Sequence, residues 1–258
     1  MLQQTQVERV LPKYRAFIKR YPTLETLAAA SVADVIREWQ GLGYNSRALR
    51  LKRVAETVVK QFDGVLPRDL ESLCSLKGIG PYTAAALRAF AFECDDAAVD
   101  TNVRRVIHRL MHGVEHPPKV SGAQLDALAQ ELVPRGLGHD WNSALMDLGA
   151  TICTARAPKC GICPLRKVCA AAPIDPASLE RARPKSAAIP FERTTRFARG
   201  RVIDRLRRLP AGQGVPLLVL HRELAMPDRT PSDLKAIVES LARDGLVRVH
   251  RRQVALVE

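Results

Sequence analysis

Four cysteines lie close together in the second half of this 258-residue chain. Cys153, Cys160, Cys163 and Cys169 are spaced C-x6-C-x2-C-x5-C within a basic segment. Four thiolates in one short segment can bind a single iron–sulfur cluster. Structural zinc is the alternative, but zinc sites usually contain two C-x2-C pairs and this segment has only one. The spacing therefore favours an iron–sulfur cluster.

Residues 76–83, Leu-Lys-Gly-Ile-Gly-Pro-Tyr-Thr, are predicted to form a turn between two short helices at 69–76 and 81–92. Pro81 suits the first position of a helix, and a glycine turn before a helix presents backbone N–H groups to a phosphate. Gly78 and Gly80 are expected to adopt positive φ and to let the phosphate approach. An ordinary turn between helices is the alternative. We favour a helix-hairpin-helix that clamps DNA without reading its sequence, with Lys77, Gly78, Gly80 and Thr83 at the DNA.

Asp100 precedes a predicted helix in the sequence Val-Asp-Thr-Asn-Val-Arg-Arg-Val of residues 99–106. An aspartate at this position is commonly an N-cap, replaceable at a cost of about 1 kcal/mol. Its place shortly after the hairpin indicates a second role. A carboxylate there can stabilise positive charge that develops on a deoxyribose, as carboxylates do in glycoside hydrolysis. Both interpretations stay open on the local sequence.

The composition points to a polyanionic partner. The net charge is +13, which raises the local concentration of nucleic acid or of anionic membrane. No apolar run approaches the roughly 18 residues of a membrane span, and the first residues lack the pattern of a signal peptide. We expect a cytoplasmic, nucleoid-associated protein, and in that reducing compartment clustered cysteines indicate a metal rather than disulfides. Cys74 and Cys94 are expected to be small buried side chains.

The chain is predicted to contain two domains joined by a linker. Residues 1–170 show helical spacing of apolar residues and no strand pattern, so an all-α core that includes the cysteine loop 153–169 is expected. Residues 171–198 are rich in Ala, Pro, Ser and Arg and are predicted to be a linker. Helices near 199–209, 216–225 and 231–244, followed by a two-stranded hairpin, predict a small winged-helix-like α+β domain at 199–258. Arg248, His250, Arg251 and Arg252 on that hairpin suit either a wing on the DNA backbone or a solvated face.

Residues 1–170 resemble the helix-hairpin-helix DNA glycosylases with an iron–sulfur loop, and most closely the A/G-specific adenine glycosylases. Besides the cysteines, the resembling segments are residues 2–7 (Leu-Gln-Gln-Thr-Gln-Val), 39–44 (Trp-Gln-Gly-Leu-Gly-Tyr), 76–83, 99–106 and 142–150 (Asn-Ser-Ala-Leu-Met-Asp-Leu-Gly-Ala). Bifunctional relatives such as endonuclease III carry a lysine nucleophile where this chain has Tyr82. A phenol cannot form the imine needed for strand cleavage, so the resemblance implies a monofunctional enzyme.

The resemblance also implies that the cluster is of the [4Fe-4S] type, and it implies roles for individual residues. Tyr82 assists at the sugar, Asp100 stabilises the oxocarbenium-like state and Asn102 helps to hold the site. Gln4 and Tyr44 match residues that insert into the duplex beside the extruded nucleotide, because a stacked nucleotide cannot reach the enzyme's reacting groups. Without the resemblance, a solvated Gln4 and a half-buried surface Tyr44 would be the favoured interpretations.

One catalytic group of the family falls outside the chain. The general acid of the family is a glutamate two residues before the methionine of Met-Leu-Gln-Gln-Thr, and that methionine is Met1. Its expected task is to protonate the departing adenine. Glu8 lies about two helical turns further on and is a poor substitute. We expect a misassigned or trimmed start, with a weakened or inactive glycosylase as the alternative.

The expected activity is hydrolysis of the N-glycosidic bond of adenine mispaired with 8-oxoguanine or guanine. The expected partner is duplex DNA that contains such a pair, and the protein is expected to be a monomer. The C-terminal part is too short and too helical for the β-rich domain with which typical adenine glycosylases recognise 8-oxoguanine. A thymine or uracil mismatch glycosylase and a non-catalytic DNA lesion-binding protein are the alternatives.

Overall fold

The computed structural model describes residues 1–3, 5–113, 121–181, 189–226 and 228–258. Backbone contacts divide the chain into two compact units, Met1–Leu66 with Ala187–Glu258, and Pro67–Ser186. We call them the terminal unit and the central unit. The predicted boundaries at 170 and 199 follow composition, whereas these units follow contacts, and the domain boundaries stay a prediction.

The described residues are mostly helical. The helices are α1 Val7–Arg20, α2 Leu24–Ala29, α3 Val32–Glu38, α4 Ser46–Gln61, α5 Leu70–Ser75, α6 Pro81–Ala91, α7 Thr101–His112, α8 Gly122–Glu131, α9 Gly138–Asp147, α10 Pro176–Arg181, α11 Thr195–Arg207, α12 Leu217–Leu224 and α13 Pro231–Arg243. The strands are β1 Val215–Pro216, β2 Val247–His250 and β3 Gln253–Leu256. A π-helical turn at Leu148–Ile152 follows α9 directly. Among the described residues, no helix has both the length and the apolar character to cross a bilayer.

The C-terminal part of the terminal unit has the order helix, strand, two helices and hairpin. Its three strands form an antiparallel sheet in the order β1-β3-β2, with Val249 opposite Val254. Thr230 caps α13 through a capping box with Asp233, and Pro231 occupies the first turn. The predicted helices and hairpin are confirmed. The short strand β1 was not predicted, because two residues carry no alternation.

This region has its own apolar core. Buried side chains of α11, α12, α13 and the sheet pack with Ala33, Ile36 and Leu49 of α3 and α4. A fully buried Leu or Ile contributes about 1.5–3 kcal/mol relative to an exposed one. Arg207 adds a polar contact, since its Nε donates to the carbonyl of Ile36 at 3.0 Å. The C-terminal helices therefore fold against the N-terminal ones.

The N-termini of α5, α6 and α7 in the central unit are each fixed by a residue suited to a helix start. Asp69 caps α5 and Asp100 caps α7, each through its carboxylate. Pro81 begins α6. Val103 and Ile107 of α7 pack on Leu125 and Ala129 of α8, so the start of α7 is held by a buried helix.

The structure corrects two expectations from the sequence. Cys74 is exposed, because α5 turns Leu73 inward and leaves its neighbour on the outer face. Cys94 is only partly buried. Gly80 has φ −96° and extended backbone as the N-cap of α6, so it does not need the positive φ that was expected. Gly78 does, at φ 119°.

Candidate DNA-binding and catalytic site

The turn between α5 and α6 leaves a helix start open. The N–H of Ile79 donates to the Leu76 carbonyl at 2.9 Å, which closes the turn after α5. In the described part of the chain, no side chain caps α6, and a Cβ added at Gly80 would meet nothing within 4 Å. Lys77 is exposed at the same turn and Thr83 is half-buried in the first turn of α6. An open helix start beside a lysine suits an anion such as a phosphate.

The carboxylate of Asp100 is held at the start of α7 by three donors. One oxygen, Oδ1, accepts from the backbone N–H groups of Asn102 and Val103, each at 2.7 Å. The other, Oδ2, accepts from Nδ2 of Asn102 at 3.1 Å. The side chain is half-buried. A carboxylate fixed in this way can present negative charge to a reacting sugar without first reorganising.

Arg105 connects this carboxylate to the cysteine segment. Its Nη2 donates to Oδ1 of Asn102 at 3.0 Å and to the carbonyl of Gly149 at 2.7 Å. Its Nε donates to the carbonyl of Cys153 at 2.9 Å. Burial is the main cause that lowers the pKa of Arg105, and the charge of Arg109 acts in the same direction. One guanidinium therefore joins Asn102, the π-helical turn and the first cysteine.

The π-helical turn lies directly against Asn102. A Cβ added at Gly149 would come within 2.8 Å of the Asn102 Cβ and 3.3 Å of its carbonyl carbon. Only a residue without a side chain fits there, and the close approach places the Gly149 carbonyl within reach of Arg105. Gly149 thus forms part of the wall that positions Asn102.

Tyr82 lies in the first turn of α6 with 39% of its surface exposed. Its pKa is raised, first by burial and then by the negative charge of Asp100. The phenol is therefore neutral at physiological pH and can donate a hydrogen bond. Because the charge of Asp100 acts on the Tyr82 phenol, these two predicted site residues lie near each other.

The cysteine segment is held mainly by arginines of α7. Arg109 is buried, and its guanidinium donates to the carbonyls of Thr154 and Ala155 at 2.8 and 3.2 Å and lies 3.5 Å from Sγ of Cys153. The carbonyl of Arg109 is 3.5 Å from Sγ of Cys169. All four cysteines of the segment are free and partly buried. Four cysteines within one short segment are the usual protein ligands of an iron–sulfur cluster, so this donor set fits such a cluster.

Among the residues that the structure describes, no three His, Cys, Asp or Glu side chains surround a point that could hold one metal ion. Four basic side chains of the segment are exposed, namely Arg156, Lys159, Arg166 and Lys167. They suit contact with phosphates at the surface.

Tyr44, one of the two residues predicted to insert into DNA, belongs to the terminal unit. Gln4 lies outside the described residues. Tyr44 precedes α4 with φ 44° and 37% of its surface exposed. The guanidinium carbons of Arg196 and Arg47 lie 3.7 and 5.6 Å from the centroid of its ring.

Arg105, Arg109 and Arg196 were missed by the sequence analysis. A partial signal existed for Arg109, because an arginine interrupts the apolar face of an otherwise amphipathic helix. Arg105 and Arg196 had no such signal, since their partners are backbone carbonyls and an aromatic ring far away in sequence.

Two known protein families match separate stretches of the chain. The HhH-GPD superfamily of base excision DNA repair proteins matches residues 1–135, and the iron-sulfur binding domain of endonuclease III matches residues 153–169. The first match covers more than half of the chain. The protein therefore belongs to the HhH-GPD superfamily of base excision DNA repair proteins. The predicted fold class and the [4Fe-4S] cofactor are confirmed.

Within this superfamily, the chain is similar in sequence to adenine DNA glycosylases. It is 49% identical over 165 residues to the adenine DNA glycosylase of Mycolicibacterium smegmatis, which covers 64% of this chain and 56% of that protein. It is 43% identical over 173 residues to the adenine DNA glycosylase of Homo sapiens, which covers 66% of this chain and 32% of that protein. The chain thus spans little more than half of the first relative and about a third of the second.

Solved structures show the same fold. A thermostable thymine-DNA glycosylase has a TM-score of 0.62 and 34% identity, over 66% of this chain and 78% of that chain. A trapped endonuclease III–DNA covalent intermediate has a TM-score of 0.58 and 24% identity, over 65% of this chain and 78% of that chain. At that identity the second likeness bears on the fold alone.

Proposed function

We propose that this protein is a monofunctional DNA glycosylase that removes adenine mispaired with 8-oxoguanine or guanine in duplex DNA. The observation that carries the proposal is the Asp100 carboxylate, held by two backbone N–H groups and by Asn102. Its pairing with an open α6 start and a neutral Tyr82 supports a site for a nucleotide. Similarity to adenine DNA glycosylases supports adenine as the base.

The reaction breaks the bond between C1′ of the deoxyribose and N9 of adenine. The electron pair leaves with the base, which takes up a proton, and water adds to C1′ to give an abasic sugar. Asp100 stabilises the positive charge on the sugar. Asn102 fixes the carboxylate, and Tyr82 donates a hydrogen bond at the sugar. In this scheme a glutamate general acid of the kind that the family uses protonates the departing adenine.

DNA is bound through sites of both units. Lys77, Gly78, Gly80 and Thr83 contact phosphates at the start of α6, while Gln4 and Tyr44 insert beside the extruded nucleotide. Cys153, Cys160, Cys163 and Cys169 would hold the cluster through their thiolates. When bound, the cluster cross-links the segment, and hydrolysis requires no electron transfer. We further propose a monomeric protein of the cytoplasm that works at the nucleoid.

Three duplexes test the activity, with A opposite 8-oxoguanine, A opposite G, and T opposite G. Each is incubated with the chain and with a version extended upstream in its reading frame, and strands are resolved before and after alkali. We expect breakage only after alkali, and only in the adenine strands. Breakage without alkali would contradict monofunctional action. DNA binding with no base release by either version would identify a lesion-binding protein instead.

Thymine mismatch repair is the second candidate function. Similarity to the thermostable thymine-DNA glycosylase, with 34% identity, favours it. Alkali-dependent breakage of the thymine strand in the T opposite G duplex, with the adenine duplexes intact, would establish this candidate in place of the first.

The cluster has its own test. Protein purified without oxygen should be brown and contain about four irons per chain. A Cys163→Ser variant should lose iron and the visible absorbance, whereas Cys74→Ser should keep both, because Cys74 lies on the exposed face of α5. A colourless protein that contains zinc would contradict the cluster ligands proposed here.

A further inference from the structure

Tyr44 is stacked against an arginine of the C-terminal segment within the terminal unit. The guanidinium carbon of Arg196, in the first turn of α11, lies 3.7 Å from the centroid of the Tyr44 ring. Tyr44 has φ 44°, a conformation that is uncommon and costly for a residue other than glycine. Its surroundings must therefore hold it in place, and the stacked Arg196 is one of them.

A second arginine, Arg47, lies next to this stack. Arg47 approaches the same ring at 5.6 Å and donates to the carbonyl of Leu42 at 2.9 Å. The pKa of Arg47 is lowered, mainly by burial and then by the positive charges of Arg196 and Arg50. The guanidinium groups of Arg47 and Arg196 thus repel each other beside one exposed aromatic ring. A bound anion would relieve that repulsion.

Arg196 has unused hydrogen-bonding capacity. Its side chain is exposed and approaches the rings of Tyr44 and Phe191. Within the described residues, no carboxylate or carbonyl accepts a hydrogen bond from it. Arg47, in contrast, donates to Thr5 and to several backbone carbonyls. A guanidinium presents five N–H donors in a flat fork that matches phosphate, and Arg196 keeps its fork available for a ligand.

We propose that Arg196 binds a backbone phosphate of duplex DNA and acts as one unit with Tyr44. The proposal rests on the proposed function, in which Tyr44 inserts beside the extruded nucleotide, and it adds a phosphate ligand from the C-terminal segment. The guanidinium of Arg196 lies over the Tyr44 ring, so insertion of the ring and capture of the phosphate occur together. The C-terminal segment thereby contributes to the DNA site through a specific residue as well as through its net charge.

The test measures affinity for a duplex that carries a tetrahydrofuran abasic analogue opposite guanine, which the enzyme cannot cleave. Fluorescence anisotropy gives Kd over a range of salt concentrations for wild type, Arg196→Ala and Arg196→Lys. The matched control is Arg222→Ala, which removes an exposed arginine of α12 from the same unit. We expect Arg196→Ala to weaken binding roughly five- to tenfold. The slope of log affinity against log salt should fall by about 0.9, the value for one phosphate contact.

Arg196→Lys keeps the charge and loses the flat fork. It should retain the salt slope of wild type while its affinity falls by about threefold. Arg222→Ala should match wild type in both. An unchanged slope in Arg196→Ala would overturn the phosphate contact, and an equal slope loss in Arg222→Ala would reduce the effect to general charge. Thermal unfolding shows whether Arg196→Ala is misfolded. If it is, the expected threefold loss of affinity in Arg196→Lys decides the role of the guanidinium fork.

A double-variant cycle tests the unit of Tyr44 and Arg196. If the two act together, Tyr44→Ala combined with Arg196→Ala should weaken binding by clearly less than the product of the single effects. Multiplicative effects would overturn the coupling. Base release at saturating enzyme separates this proposal from the proposed function. A version extended upstream that binds the analogue but releases no adenine would contradict the function, while the salt slope would still decide the role of Arg196.

Discussion

Asp69 and Asp100 begin helices on either side of the hairpin, and their backbone contacts are alike. Asp69 accepts the N–H of Ser72 at 2.8 Å to cap α5, and Asp100 accepts two N–H groups at 2.7 Å to cap α7. Asp69 is exposed, whereas Asp100 is half-buried. The second oxygen of Asp100 also accepts from Asn102, which Arg105 links to the cysteine segment. Asp69 therefore caps a helix, whereas Asp100 caps a helix and is also linked to Asn102 and, through it, to Arg105.

The largest effect expected from this difference is on catalysis. In the version extended upstream, Asp100→Asn should lower single-turnover adenine release by about a thousandfold, because it removes a fixed negative charge from the reacting sugar. Asp69→Asn should change release by less than about twofold, since a surface substitution away from the site has little effect. Asparagine is as good an N-cap as aspartate, so thermal unfolding should show both variants folded. Undiminished release by Asp100→Asn would end the distinction between the two caps.

The next effect concerns the link behind Asp100. Arg105→Lys keeps the charge but cannot reach Asn102, Gly149 and Cys153 together, and adenine release should fall by about tenfold through misplaced Asn102. Arg104→Lys is the matched control. Arg104 is the neighbour of Arg105 and forms an ion pair with Asp126 at 2.6 Å near the surface, a contact of small energetic value. Saturating single-turnover kinetics measures both. Equal rates for the two variants would show that Asp100 does not depend on the network.

A smaller effect should appear in the ionisation of Tyr82. Its pKa is raised by burial and by Asp100, so Asp100→Asn should move it back towards the ordinary value of about 10. Asp69→Asn should leave it unchanged. An ultraviolet titration of each variant, with the curve of its Tyr82→Phe counterpart subtracted, isolates this phenol. A Tyr82 curve that is identical in wild type and Asp100→Asn would place Asp100 too far away to influence the phenol.

The smallest effect is expected in acid. The pKa of Asp69 is lowered, chiefly by the backbone N–H of Ser72, so its folded value lies below its unfolded value of about 3.9. The resulting stability is present above the unfolded pKa and is lost as pH falls through the folded pKa. Asp69→Asn should therefore lose less stability than wild type on acidification below about pH 5. Urea unfolding at several pH values measures this, and parallel curves for both proteins would contradict it.

The sequence predicted the elements better than the contacts between them. The C-terminal helices and hairpin follow from periodicity, and Pro81 marks the start of α6 as expected. The positive φ expected at Gly80 was wrong, because Gly78 alone makes the sharp bend. Arg105 could not be predicted, since its acceptors are carbonyls brought close only by the fold. The roles assigned to Asp100, Asn102 and Tyr82 remain predictions for the experiments above.

Gly149 shows how a position without any reactive group can govern a site. It contributes only a carbonyl and an empty space, yet an added methyl group there would collide with Asn102. A screen of variants that scores repair would record substitutions at this glycine as severe losses, much like those at Asp100. The damage would arise from displaced neighbours, and only glycine at 102 would remove the colliding Cβ, without recovering the hydrogen bond to the carboxylate.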